Sequence, residues 1–171
     1  DFINIMTYDY SGKGDSLGHH NAQLFYDKAL PTRSAARNHV LGGLMGHLNG
    51  GVPPHKLIAG VPYYGKGWDG CGPNGQYQAC KGGSSVGTWE SALFDFSHLE
   101  NDYIGKNGYK RYWNEYAKVP YLYNDQNKVF ITYNDETTMM YTASLVKTLD
   151  IAGVMSWDIS GDRNYTLTNQ L

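Results

Sequence analysis

The sequence has no long apolar run, and no stretch approaches the ~20 residues needed to cross a bilayer. It also lacks an excess of either charge, because 14 basic and 16 acidic residues give a formal net charge of −2. Such a balance gives no reason to expect a nucleic acid or an acidic membrane as partner. No signal peptide, internal repeat or low-complexity tail is recognisable. At 171 residues, the chain is long enough for one domain, or for part of a larger one.

Cysteine is scarce as well, since Cys71 and Cys80 are the two that the chain contains. The segment between them holds a Pro-Asn-Gly turn signal, so its ends can meet in a disulfide. Such a bond would contribute about 2–3 kcal/mol and indicates an oxidising, extracellular setting. A zinc site is disfavoured, because no histidine stands at metal-binding spacing. We expect loop or surface histidines, no metal and no cofactor. The histidines are His19, His20, His39, His47, His55 and His98.

Aromatic residues and glycine are plentiful by contrast, with 15 Tyr, 4 Trp and 21 Gly. Tyrosine and tryptophan combine a flat apolar face with a polar edge, which suits a surface that stacks on sugar rings and hydrogen-bonds their hydroxyls. The same residues suit an aromatic core or interface, and composition alone favours that second interpretation.

Three short apolar segments predict buried strands, and each ends in polar or aromatic residues. A helix is predicted over residues 34–49, and a second helix, capped by Asn134 or Asp135, precedes the last strand. Repeated strand–helix units with functional side chains at the strand ends are typical of a parallel α/β barrel. Three strands do not close such a barrel, so we expect the remainder upstream in a longer protein rather than in another chain. The predicted strands cover residues 2–7, 57–61 and 151–157.

Residues 68–130 interrupt this alternation. Short strands are predicted at residues 109–113, 118–123 and 128–133, with a hairpin turn between the last two. We interpret this part as an antiparallel α+β insertion. The predicted division is therefore residues 1–67, 68–130 and 131–171.

Several long motifs resemble, in order, those of the family 18 glycoside hydrolases, the chitinases. Residues 4–9 (Asn-Ile-Met-Thr-Tyr-Asp) are similar to the sixth-strand motif, residues 56–68 to the seventh and residues 153–157 to the eighth. Three further segments resemble the family's insertion domain and the segment where the chain leaves it; they are residues 87–90, 117–123 and 130–135. The likeness is to the C-terminal part of the catalytic domain of secreted bacterial chitinases of the Bacillus type, including the paired cysteines. It implies an α/β fold: a partial (β/α)8 TIM barrel, strands 6 to 8 and the start of helix 8, with an α+β chitinase insertion domain.

The resemblance also implies an activity: endo-type hydrolysis of β-1,4-linked N-acetylglucosamine in chitin or chito-oligosaccharides. The family's retaining reaction is substrate-assisted, because the acetamido carbonyl of the sugar attacks its own anomeric carbon. The catalytic residues implied are Tyr8, which orients the acetamido group, and Asp9, which helps to hold the distorted sugar. The tryptophan that floors the cleaving subsite corresponds to Trp157. The other substrate-binding positions implied are Met6, Tyr64, Lys66 and Glu90.

Three departures from the family pattern limit this inference. Lys66 stands where many relatives have arginine. The bidentate hydrogen bonding of a guanidinium group is therefore replaced by the single charge of an ammonium group. Gly14 stands where close relatives have a tryptophan, which would weaken sugar binding on the leaving side by ~1–2 kcal/mol. The motif Asp-x-x-Asp-x-Asp-x-Glu, whose glutamate is the general acid, does not occur in the chain.

We therefore expect the chain to be inactive alone and catalytic only with the N-terminal remainder of the barrel. The alternative is a non-catalytic chitinase-like lectin that binds chitin through the same residues. A third hypothesis, a self-contained α+β interaction module, is disfavoured because the first predicted strand needs neighbours on both sides.

Overall fold

Two β-sheets, one parallel and one antiparallel, make up the framework of the computed structural model, which describes all 171 residues. The strands are β1 (Ile3–Ile5), β2 (Leu57–Pro62), β3 (Tyr64–Asp69), β4 (Gly82–Gly83), β5 (Leu93–Asp95), β6 (Tyr109–Asn114), β7 (Val119–Asn124), β8 (Val129–Thr132) and β9 (Gly153–Trp157). The helices are α1 (Val40–Asn49), α2 (Phe96–Asp102) and α3 (Glu136–Leu149), with short 3-10 turns at Pro54–Lys56, Ile159–Gly161 and Thr168–Gln170.

The parallel sheet consists of the three strands that the sequence predicts, in the order β1-β2-β9. Both neighbours pair in parallel with β2, in registers that place Ile5 opposite Ala59 and Val61 opposite Ser156. Helices α1 and α3 contribute Leu44 and Leu145 to a buried apolar cluster with β2. Consecutive strand–helix units thus pack side by side, and the carboxyl ends of the three strands lie at one edge.

Helix α1 begins later than predicted, at Val40 rather than Ser34. His39 has an extended backbone, and its Nδ1 accepts a hydrogen bond from the Gly42 N–H at 3.0 Å, which caps the helix. Residues 34–38 form turns instead, as in the bond from the Asn38 N–H to the Ser34 carbonyl at 2.8 Å. Apolar spacing identified the helix correctly, but a histidine cap is not among the preferred N-cap residues.

Helix α3 begins after Asp135, one of the two predicted caps, whose carboxylate accepts from the Thr138 N–H. It is the longest helix, with 14 residues. No helix of the chain has the length and apolarity that spanning a membrane would require. Beyond β9 the chain forms 3-10 turns where the sequence predicts the start of a helix.

The antiparallel sheet runs in the order β4-β3-β8-β7-β6, and β5 pairs with the first half of β3 along the same edge as β4. Strand β3 was not predicted, because its alternate glycines disfavour a strand by propensity. Those glycines allow close packing: a Cβ on Gly65 would lie 2.6 Å from the Thr132 carbonyl oxygen, and one on Gly67 would lie 2.8 Å from the Phe94 ring. Since Tyr63 alone separates β2 from β3, the two sheets are joined directly. The predicted division at residues 67 and 130 stays a prediction.

The Cys71–Cys80 disulfide forms as predicted. Its loop packs against the long segment between β1 and α1. The backbone of Gly18 both accepts from the Tyr77 N–H at 2.7 Å and donates to the Gln78 carbonyl at 3.0 Å. The disulfide loop thereby braces the segment that follows β1.

Candidate active site

An open cavity of about 430 Å³ lies between the carboxyl ends of the parallel strands and the antiparallel sheet. Five of the seven residues that the sequence assigns to catalysis and substrate binding line it, whereas two do not. The five are Asp9, Tyr64, Lys66, Glu90 and Trp157, and the two outside the lining are Met6 and Tyr8.

Asp9 follows β1 and is fixed by two side chains from β3. The Tyr64 hydroxyl donates to its Oδ1 at 2.6 Å, and the Lys66 Nζ lies 2.6 Å from the same oxygen. Lys66 also donates to the Ser11 carbonyl at 2.7 Å, which holds its ammonium group in place. The second carboxylate oxygen of Asp9 has no partner within the chain. Asp9 is therefore oriented by its own neighbours and keeps one oxygen available.

Tyr8 is buried beneath this pair, with its ring edge-on to Tyr64 at a centroid distance of 6.2 Å. Its hydroxyl has no hydrogen-bond partner in the chain. Burial, with a further contribution from the Asp9 charge, raises the pKa of Tyr8. Burial and the hydrogen bond to Asp9 likewise raise the pKa of Tyr64. Both phenols therefore keep their protons at neutral pH, and the Tyr64 hydroxyl donates its proton to Asp9.

Trp157 ends β9 opposite Pro62 of β2, and its peptide bond to Asp158 is cis. Its side chain is 60% exposed, although it belongs to a strand of the parallel sheet. Met6, just after β1, is similarly open at 69%. An indole presented this way at the cavity offers a flat apolar face of the kind that stacks on sugar rings.

The opposite wall comes from the segment before β5 and contains residues that the prediction missed. Glu90 lies at the rim, 3.8 Å from the Lys13 ammonium group. The neighbouring Trp89 is 75% exposed, and its indole N–H donates to the Asp95 Oδ2 at 2.9 Å. Arg163 donates to the same oxygen at 2.6 Å. The motif at residues 87–90 could have identified Trp89, but no sequence signal links it to Asp95 and Arg163.

A buried polar network underlies the site and includes a histidine expected at a surface or loop position. His20 lies in the loop after β1 but is fully buried, and its Nε2 pairs with the Gln76 Oε1 at 3.0 Å. Asn114 donates to Gln76 at 3.0 Å and to the Asp27 Oδ2 at 2.7 Å, which also accepts from the Tyr77 hydroxyl. Burial lowers the pKa of His20 to about 4, so its ring is neutral at neutral pH. The network joins the segment after β1 to the disulfide loop and β6.

The cavity thus brings together a strand-end acid, held by a tyrosine and a lysine, and an exposed indole. The family model described as "Glycosyl hydrolases family 18" matches residues 1–162. The chain therefore belongs to family 18 of the glycosyl hydrolases.

The relatives found include chitinase A1 of Niallia circulans, which is 54% identical over the whole chain. Among solved structures, chitinase ChiA74 from Bacillus thuringiensis has a TM-score of 0.88, with 42% identity over 94% of the chain. A class V chitinase from Nicotiana tobaccum, solved in complex with NAG4, has a TM-score of 0.86, with 28% identity over 99% of the chain. These matches confirm the predicted family and the α/β fold of the TIM-barrel chitinases.

The chain spans only part of these proteins. It covers 25% of chitinase A1, 28% of ChiA74 and 47% of the Nicotiana chain.

Proposed function

We propose that this chain supplies barrel strands 6 to 8 and the insertion domain of a secreted, endo-type chitinase. The substrate is β-1,4-linked N-acetylglucosamine, and the mechanism is substrate-assisted and retaining. The observation that carries the proposal is the joint presence of Asp9, Tyr64, Lys66 and Trp157 around one cavity in a family 18 chain. The NAG4 complex of the Nicotiana chitinase supports chito-oligosaccharides as ligands.

In the proposed complex, one N-acetylglucosamine ring lies on the Trp157 indole. The unpaired Tyr8 hydroxyl donates to the acetamido oxygen and aligns the carbonyl with the anomeric carbon, so that the nucleophile is already in place. For this, the Tyr8 hydroxyl has to become accessible to the sugar, since it lies outside the lining of the present cavity. The free oxygen of Asp9 accepts from the acetamido N–H and stabilises the positive charge that develops on that group.

The general acid comes from outside this chain in the proposal. Protonating the leaving oxygen requires a carboxyl group with a raised pKa within hydrogen-bond reach. Asp9 is unsuited to that role, because its Oδ1 already accepts from the Tyr64 hydroxyl and pairs with the Lys66 ammonium group. The N-terminal remainder of the barrel is therefore the proposed partner, and we call the full-length protein with all eight strands the complete enzyme.

An extracellular location is proposed from the disulfide. Disulfides persist in oxidising compartments and are rare in the cytosol. The Cys71–Cys80 bond closes a loop that packs against the segment after β1, and an oxidising compartment would preserve that bond.

The test is turnover of a fluorogenic chitobioside by this chain alone and by the complete enzyme. We expect hydrolysis by the complete enzyme and none by the chain alone. Activity of the isolated chain would overturn the proposal that the general acid lies in the N-terminal remainder of the barrel. Tight binding of chitotetraose by the complete enzyme without any turnover would instead favour the non-catalytic chitin-binding lectin.

A further inference from the structure

A buried asparagine, Asn21, lies behind Asp9 and is not among the residues that line the cavity. Its side-chain Oδ1 accepts a hydrogen bond from the Asp9 backbone N–H at 3.1 Å. Its backbone carbonyl accepts from the Tyr10 N–H at 3.0 Å. One residue thus holds the two backbone N–H groups on either side of the Asp9 α-carbon.

These bonds matter because Asp9 has a φ of +61°, in the left-handed region. Aspartate enters this region more readily than most residues other than glycine, but the conformation still costs free energy and depends on support from its surroundings. The two contacts from Asn21 bracket both soft dihedrals of Asp9. They therefore help to determine where its carboxylate points.

Asn21 is also tied to the sheet that carries the partners of Asp9. Its backbone N–H donates to the Thr132 Oγ1 in β8 at 3.2 Å. Thr132 is the register partner of Lys66 in β3, two residues beyond Tyr64. A continuous set of contacts therefore connects the Asp9 backbone with the strand whose side chains bind its carboxylate.

The Asn21 side-chain nitrogen, Nδ2, is buried without a hydrogen-bond partner. The amide lies beside the Tyr64 hydroxyl, where it opposes the rise in the pKa of Tyr64 that burial causes. A buried donor without a partner is unfavourable, so packing alone does not account for an amide here.

We propose that Asn21 is a positioning residue that fixes the Asp9 carboxylate against Tyr64 and Lys66 in the geometry the reaction needs. This inference rests on the proposed chitinase function. It adds to the site a residue that acts on the substrate only through Asp9.

The first test compares the variant Asn21→Ala with the matched control Asn134→Ala in the complete enzyme. Asn134 is also a buried asparagine with an unpaired side-chain atom, and its amide donates to the carbonyl of Ala22, next to Asn21. It makes no hydrogen bond with Asp9. Both variants should lower the melting temperature, because each loses a buried hydrogen bond.

Chitotetraose turnover, measured well below both melting temperatures, separates the two roles. We expect kcat of Asn21→Ala to fall roughly 10- to 100-fold, because small displacements of a reacting group are costly. KM should stay within about threefold, because Asn21 does not line the cavity and the proposed role of Asp9 is chiefly to stabilise charge that develops in the transition state. The control should keep the wild-type kcat. Equal kcat values for wild type and Asn21→Ala would overturn the proposal.

A second variant, Asn21→Asp, keeps the shape and the acceptor for the Asp9 N–H but replaces the amide NH2 by a titratable oxygen. Burial and the nearby Asp9 raise the pKa of the new carboxyl group. When protonated, that group is uncharged like the amide, whereas its charged form repels the Asp9 carboxylate that it should hold in place. We expect its kcat relative to wild type to rise as the pH falls from about 7 to about 5.

If Asn21→Ala does not fold, the pH dependence of kcat for Asn21→Asp tests the positioning role instead. A kcat ratio that is flat with pH, or failure of both variants to fold, would contradict a positioning role. Absence of turnover by the wild-type complete enzyme would instead refute the proposed chitinase function, so the two failures are distinguishable.

Discussion

The Asp9 carboxylate uses its two oxygens differently. Oδ1 accepts from the Tyr64 hydroxyl and forms an ion pair with Lys66, while the other oxygen has no partner in the chain. Lys66 replaces the arginine expected from the family pattern, and its single ammonium group bridges Asp9 and the Ser11 carbonyl. One ammonium group and one tyrosine hydroxyl together therefore fix the position of one carboxylate oxygen.

The variant Tyr64→Phe removes one of these donors and keeps the ring. We expect kcat/KM of the complete enzyme for chitotetraose to fall about 10- to 100-fold, because a hydrogen bond to a charged group contributes roughly 1.5–3 kcal/mol.

The matched control is Tyr123→Phe. It also removes a buried phenol hydroxyl, but one that donates to the Cys71 carbonyl, remote from Asp9. A similar kcat/KM for both variants would show that the Tyr64 hydroxyl does not support Asp9.

At the residue scale, local motifs predict where a side chain lies along a strand. The motif at residues 4–9 and the tryptophan at 157 follow or end strands β1 and β9, as predicted, although Met6 and Tyr8 lie outside the cavity lining. The sequence gives no such signal for Asn21 and Asp95, because their contacts join segments far apart in the chain. Asn21 meets Thr132 across 111 positions, and no spacing rule indicates such a pair.

Among the elements, strand β3 best shows why local strand propensity gave no prediction of a strand. Its Tyr-Gly-Lys-Gly-Trp pattern has weak strand preference, yet β5 and β8 pair with it on either side. Glycine is required there because neighbouring backbone and rings leave no room for a side chain. Tertiary packing therefore overrides local preference, whereas the apolar segments of β2 and β9 were predictable from composition alone.

The disulfide loop should stabilise the segment after β1. We expect Cys71→Ser combined with Cys80→Ser to lower the free energy of unfolding by about 2–3 kcal/mol. Urea unfolding with and without a reductant measures this. Reductant should destabilise the wild type and leave the double variant unchanged. A wild type that is insensitive to reduction would contradict a stabilising role for the bond.

The buried network beneath the site should make stability sensitive to acid. The pKa of His20 falls from 6.5 to about 4 on folding, so the unfolded chain binds that proton more tightly. The contribution of neutral His20 is complete above about pH 6.5 and is lost as the pH falls towards 4. Between pH 6.5 and 5 this loss amounts to about 2 kcal/mol.

Thermal melts at pH 7 and pH 5 test this expectation. The difference in melting temperature between the two pH values should be smaller for His20→Gln than for the wild type. The control His55→Gln changes an exposed histidine and should keep the wild-type difference. An unchanged difference in His20→Gln would show that His20 is not the acid-sensitive group.

At the scale of the whole molecule, large apolar side chains are exposed at the ends of the three-stranded parallel sheet. Phe2, Met6, Trp157 and Ile159 are between 60% and 69% exposed. Strands β1 and β9 each pair with one neighbour only, and unpaired edges of this kind tend to associate. We expect the chain expressed alone to form species larger than its 19.1 kDa monomer. Size-exclusion chromatography with light scattering measures this, and a monomer with a cooperative melt would contradict it.

The most direct test of the central claim is a crystal structure of the complete enzyme with chitotetraose bound. The account predicts one N-acetylglucosamine ring stacked on Trp157, with its acetamido group within hydrogen-bond reach of Tyr8 and Asp9. A sugar chain that lies elsewhere, or one whose acetamido group points away from these two residues, would contradict it.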